Sequence, residues 1–259
     1  MRDILGDLDA AANNPIEAAR QASKAPLPKR FYTDVTVEEA EGGFTVALDG
    51  RGIKTPGQKL IVLPQLAAQA LRDEFDAQTD FIDPKSMPHY RLLNTALDGV
   101  ATDMQAVAED VTRFAGSDLL CYRADGPETL VARQNEAWDP FLDWIAGKIG
   151  SRFVLAEGVM HVAQPKSAIA GFGVLVGQVK DPIMLAALHS MTTLTGSAIM
   201  AYAVFDGAWD AEAVWAAAHV DEDFNIEQWG DDGEAAAMRA WKWQQMKAAA
   251  LLIKARQER

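Results

Sequence analysis

The chain has 259 residues, 49% apolar and 24% charged, the balance of a globular protein of one or two domains. Its 37 acids outweigh 24 Lys and Arg, a formal net charge of −13, which argues against phosphate-driven nucleic-acid binding and against adsorption to an anionic membrane. A single cysteine, Cys121, excludes an internal disulfide and fits a reducing compartment.

Residues 1–25 read as a loose leader with a weak helix. They lack the apolar stretch of a secretory signal and carry Asp3, Asp7, Asp9 and Glu17, unlike acid-poor transit peptides, so residence in the cytoplasm is expected. APLPKR reads as a linker. From Arg30 to Leu63 the pattern is an antiparallel meander of about four strands. FYTDVTVEEAE leads into the turn Gly42-Gly43; FTVALD alternates with Phe44, Val46 and Leu48 on one face; DGRG signals a hairpin; IKTP and LIVLP follow as short strands. Residues 65–79 read as a helix with Leu66, Ala70, Leu71 and Phe75 in one stripe. RLLNTALDGV and the run Asp103 to Phe114 again have helical spacing, and SDLLCYRA (117–124) reads as a buried strand that could rejoin the sheet.

All seven tryptophans lie beyond Pro127. Helical spacing covers 127–149, 182–205, 210–228 and 233–256, RFVL (152–155) reads as a short strand, and Gly171, Gly173 and Gly177 weaken a helix over 165–180. The fold expected is therefore α+β. A leader and linker (1–29) precede a small N-terminal antiparallel-sheet α+β domain (30–126) and a larger all-helical C-terminal domain (127–259). Met184 to Phe205 holds no Asp, Glu, Lys or Arg and is long enough to cross a bilayer. Its His, Ser and Thr residues and its poor cationic flanks favour the buried centre of a helical domain over membrane insertion.

Catalytic and cofactor motifs fail one by one. There is no phosphate-binding loop and no nucleophile elbow. GFGVLVG (171–177) resembles a dinucleotide loop, but its third glycine is one residue late. No two of His89, His161, His189 and His219 have zinc spacing, and His189 reads as a hydrogen-bonded core residue. Asp221-x-Asp223-x-Asn225 begins like a calcium loop, but Ile226 stands where that loop needs glycine. No metal, no cofactor and no catalytic residue is assigned.

One charge pattern stands out. Ten acids and no base lie between Asp206 and Glu234, and six bases with one acid follow Ala235. Two solvated helix faces that attract each other would account for this. An acidic recognition patch would too, steering encounter with a basic partner. In DEDFNIEQWGDD the adjacent Asp221, Glu222 and Asp223 repel one another without an obvious folding benefit, whereas Ile226 and Trp229, three apart, read as core contacts.

Seven segments in order resemble the assembly chaperones of the F-type ATP synthase that act on its alpha subunit. They are RFYTDVTV, LDGRGIKTP, MPHYRLLNTALDGV, SDLLCYRA, ARQNEAWDPFLDW, LHSMTTLTGSAI and DEDFNIEQWGDD, together spanning about Arg30 to Asp232. The resemblance implies a non-enzymatic chaperone without a nucleotide cofactor that binds the free alpha subunit, prevents its aggregation and yields it to beta, and it points to a bacterial cytoplasmic member; a monomer is expected. It places partner binding on Asp221, Glu222, Asp223 and Trp229. It departs at Asp221, where relatives often have Glu, and at Phe75, where they usually have Trp; Phe75 reads as structural. The competing readings are an acidic adaptor with another client, a small-molecule enzyme using paired carboxylates in a pocket, and a membrane-associated factor.

Overall fold

The computed structural model describes residues 27–158 and 162–258; the expected leader helix and His161 lie outside the described residues. Strands β1 (Val35–Ala40), β2 (Gly43–Leu48) and β3 (Arg51–Gly52) form an antiparallel sheet in the order β1-β2-β3. The β2–β3 hairpin turns on Asp49 (φ 47°) and Gly50 (φ 74°), a two-residue turn with positive φ at both positions, as the DGRG signal requires. At the other hairpin, Gly43 (φ 154°) is obligatory, because a Cβ there would sit 2.6 Å from the Leu63 carbonyl oxygen. IKTP and LIVLP do not form full strands. They attach by isolated bridges, Lys54 to Leu60 and Phe44 to Leu63. β2 is central, so Thr45 and Ala47 are buried together with Val46 and Leu48, and the expected one-sided alternation is lost. Pro28 to Arg30 of the expected linker are docked: the Ile82 amide donates to Pro28 (2.8 Å) and the Arg30 amide to Asp80 (2.9 Å).

Helix α1 (Gln65–Asp76) covers the sheet with Ala67, Ala68, Leu71 and Phe75; Leu66, expected in the stripe, faces outward. Phe75 is buried edge-on between Tyr32 and Tyr90, with ring centroids 6.1 and 5.1 Å away. α2 (Pro88–Asn94) continues through a π turn into α3 (Met104–Phe114), which Asp103 caps through the Ala106 amide (3.0 Å).

SDLLCYRA does not return to the meander. Leu119–Cys121 is a 3-10 turn, and β4 (Tyr122–Arg123) pairs in parallel with β5 (Ala156–Glu157), not with β1–β3. The cause is Asp118, fully buried. Its carboxylate accepts from the Leu120 amide (3.1 Å) and, across the molecule, from the Ile199 amide (3.1 Å), which turns the chain toward the helices. RFVL is likewise not a strand; pairing begins one residue later, at Ala156.

α4 (Glu128–Ile149) matches its expected span. α5 (Lys166–Gly177) forms despite its glycines, two of which serve close approach: a Cβ on Gly171 would meet Ile149 at 2.9 Å, and one on Gly173 would meet Thr112 at 3.1 Å. The uncharged run is two helices, α6 (Pro182–Thr195) and α7 (Ala198–Phe205). Gly196 (φ 70°) ends the first, and the Ser197 hydroxyl caps the second through the Met200 amide (3.0 Å). Among the described residues no helix is long and apolar enough to cross a membrane. α8 (Ala211–Ala218), α9 (Val220–Trp229) and α10 (Gly233–Gln257) complete the chain, so the expected helix over 210–228 is also two. A single apolar cluster runs from Tyr32 to Ala255, and the C-terminal part of α10 closes it against α6.

Candidate partner-binding site

Helix α9 carries no buried residue, and the first buried residue of α10 is Met246. The two, joined by residues 230–232, form a surface helix–turn–helix, here called the hairpin, in which α9 rests on α4 and is paired to α10 through Asp223 and Arg239. Trp229, expected in the core, is 87% exposed at the tip; on α9 it is Val220, at the opposite end, that packs against the core, while Ile226 turns toward Trp215 and Trp243. Met238 and Trp241 on α10 are also exposed. Gly230 (φ 88°) lets the chain reverse, and Asp232 caps α10 through the Glu234 amide (2.9 Å).

The three adjacent carboxylates have separate surroundings. Asp221 accepts from Gln134 Nε2 (2.7 Å) on α4, and Gln134, itself 2% exposed, accepts from the Ala124 amide (2.8 Å). Asp223 pairs with Arg239 of α10. Glu222, 40% exposed, has His219 Nε2 at 3.7 Å and the Arg239 guanidinium in its neighbourhood. His219 Nδ1 lies 2.7 Å from the Trp215 carbonyl oxygen, so Nδ1–H donates there and Nε2 faces Glu222. Burial holds His219 below the usual histidine range, with the Trp215 hydrogen bond opposing it, so it brings Glu222 no firm positive charge. The expectation that this run gives no folding benefit is thus corrected: two of its acids fasten α9, and all three lie in its first turn, where the helix dipole favours them. Because Asp221 and Asp223 are spread around a helix and used internally, they form no calcium loop.

Further fastening comes from Arg133 on α4, which holds Glu227 with two bonds of 2.8 and 2.7 Å and lies over the Phe224 ring. That pair keeps the Glu227 carboxyl below its ordinary range. Trp138, one turn beyond Gln134, donates its indole N–H to the Ala217 carbonyl (2.7 Å) and ties α8 to the same helix face. Sequence reading did not single out Arg133, Gln134 or Arg239. Their partners lie 16 to 94 positions away. Yet Arg133, Gln134 and Trp138 all belong to the ARQNEAWDPFLDW segment, one of the seven that carry the resemblance.

Other features behave differently. His189, midway along α6, meets Asp110 Oδ2 through Nε2 at 2.9 Å and is about one-third exposed rather than in the core. A groove of about 760 Å³ between α3 and α5 is lined mostly by small and apolar groups. Among the described residues no three His, Cys, Asp or Glu cluster as metal ligands.

Known proteins resemble the chain over most of its length. The family model described as ATP12 chaperone protein matches residues 29–146. The crystal structure of the Agrobacterium tumefaciens protein Atu1473 is 52% identical, covers 93% of this chain and 91% of its own, and superposes with a TM-score of 0.83. Atp12 from Paracoccus denitrificans is 37% identical, with 88% of this chain and 98% of that one covered and a TM-score of 0.78. The mitochondrial atp12 protein of Schizosaccharomyces pombe is 22% identical over 227 residues, 80% of this chain and 77% of that protein. The motif order, the shared fold and these identities lead to one assignment: the chain belongs to the ATP12 chaperone family.

Proposed function

We propose that this protein is a non-enzymatic assembly chaperone of the F-type ATP synthase. It binds the free alpha subunit, keeps it from aggregating and yields it to the beta subunit, with the α9–α10 hairpin as its contact face. The observation that carries the reading is the hairpin itself: two helices with no buried residue from Val220 to Gln245, an 87% exposed tryptophan at the tip and acids around it. A protein gains no stability from presenting Trp229 to water, whereas an aromatic anchor rimmed by charge suits partner binding. Within this reading Trp229 and Glu222 touch the client, while Asp221 and Asp223 hold α9 in position to present them.

A client alpha subunit with its beta-facing surface open associates through that surface. A chaperone that binds the open form reduces the aggregating population by mass action and must bind more weakly than beta to be displaced. The test is light scattering of nucleotide-free alpha diluted from denaturant, with this protein or an equally acidic unrelated protein present. Suppression at near-equimolar ratio, with a complex on gel filtration, is expected. Absence of both, with folded chaperone, contradicts the proposal.

A further inference from the structure

The cleft between α9 and α10 has a composition that selects its occupant. It encloses about 320 Å³. Its floor is apolar: Trp215 and Trp243, tilted 39° to one another with centroids 5.3 Å apart, together with Ile226. Ala236 and Ala240, one turn apart on α10, contribute only methyl groups to the lining. Its rim is acidic, with Glu222 from α9 and Asp231 from the turn. The one cation in its lining, Arg239, is paired with Asp223 and feels Glu222 and Asp231 as well, so three carboxylates face one guanidinium. His219, buried against Trp215, supplies no compensating charge.

We infer that this cleft receives one long cationic side chain, lysine or arginine, from the client. The inference rests on the proposed chaperone function and names the chemistry of its contact. The aliphatic stem lies along Ile226, Ala236 and Ala240 beside the two tryptophans, whose ring faces are already contacted by each other, by His219 and by Lys247. The charged end reaches Glu222 and Asp231 and neutralises the excess acid there. A neutral apolar side chain would leave both rim carboxylates partly desolvated and unpaired, and an acidic one would meet like charge.

The experiment measures the affinity of full-length variants for alpha over a range of salt concentrations. Glu222→Gln combined with Asp231→Asn is expected to weaken binding at least tenfold and to flatten its salt dependence. Ala240→Leu, which fills the floor and keeps every charge, is expected to weaken binding comparably while the salt dependence persists. Glu212→Gln, which removes a charge from the same acid run outside the cleft, is expected to stay within twofold of the parent. Thermal melts verify that each variant is folded. Unchanged affinity in the double variant or in Ala240→Leu overturns the inference, as does an equal loss in Glu212→Gln, which would reveal a general field rather than a cleft. Failure of the parent protein to bind alpha at all would instead overturn the proposed function.

Discussion

Two neighbouring helix pairs use the same backbone geometry for opposite ends. α6 and α7 are buried along most of their length, and α7 has an apolar face on every side. α9 and the first half of α10 bury nothing. Apolar side chains all round force the first pair into the centre, because only burial removes that surface from water. The second pair is held from outside by directed polar contacts: Gln134 to Asp221, Arg133 to Glu227, Arg239 to Asp223. Such contacts are individually worth far less than core packing. The hairpin can therefore yield to a partner without loosening the core, a division suited to a protein that must bind and release.

The comparison breaks most severely at Leu188, fully buried on α6. Leu188→Ala is expected to cost about 2–5 kcal/mol in urea denaturation, through lost transfer energy and a residual cavity. Alpha binding by the remaining folded fraction should stay near the parent value.

Asp118 comes next, since its carboxylate joins the Leu120 turn to the start of α7. Burial pushes it up to about 6 from 3.8, against the hydrogen bonds from Ser197, Ile199 and Leu120, which lower it. The folded state thus holds this proton more tightly than the unfolded state does. The stabilisation is complete below about pH 4 and disappears as pH rises through about 6, a swing of roughly 3 kcal/mol. Denaturation of the parent and of Asp118→Asn at pH 4.5, 5.5 and 7 measures it. The parent should lose stability relative to the variant as pH rises; a constant difference would show that Asp118 titrates normally.

On the hairpin, effects on stability shrink while effects on binding grow. Asp221→Ala removes the charged acceptor of a buried amide and is expected to cost about 1–2 kcal/mol. Hydrogen exchange should rise in α9 and stay unchanged in α6. Trp229→Ala is expected to change global stability by less than about 0.5 kcal/mol, as for an exposed side chain. It should nevertheless weaken alpha binding tenfold or more, read by titration calorimetry.

The sequence made the contrast itself visible, through an uncharged run followed by ten acids and no base. Helix spans such as α4 and α10 also followed from periodicity. The breaks within 182–205 and 210–228 were less legible. Gly196-Ser197 is a stop-and-cap pair that a continuous apolar pattern hides, and α8 ends at His219, whose ring bonds back to Trp215. SDLLCYRA misled because its apolar residues suit a strand, while one buried carboxylate, Asp118, bends it into a turn by accepting from the Ile199 amide, 81 positions away, at the start of α7. Trp229 misled for a related reason: spacing from Ile226 defines a face, but only the tertiary arrangement says whether that face meets a core. The acids were legible as a group and not as individuals, because the partners of Asp221 and Asp223, Gln134 and Arg239, lie on other helices.

The central claim is that the partner covers the hairpin and leaves the core helices as they are. Hydrogen exchange of this protein, free and in saturating complex with alpha, tests it most directly. The account predicts new protection concentrated in Val220–Trp229 and the first half of α10, with α6 and α7 unchanged. Protection centred on the groove between α3 and α5, with the hairpin exchanging as in the free protein, would contradict it.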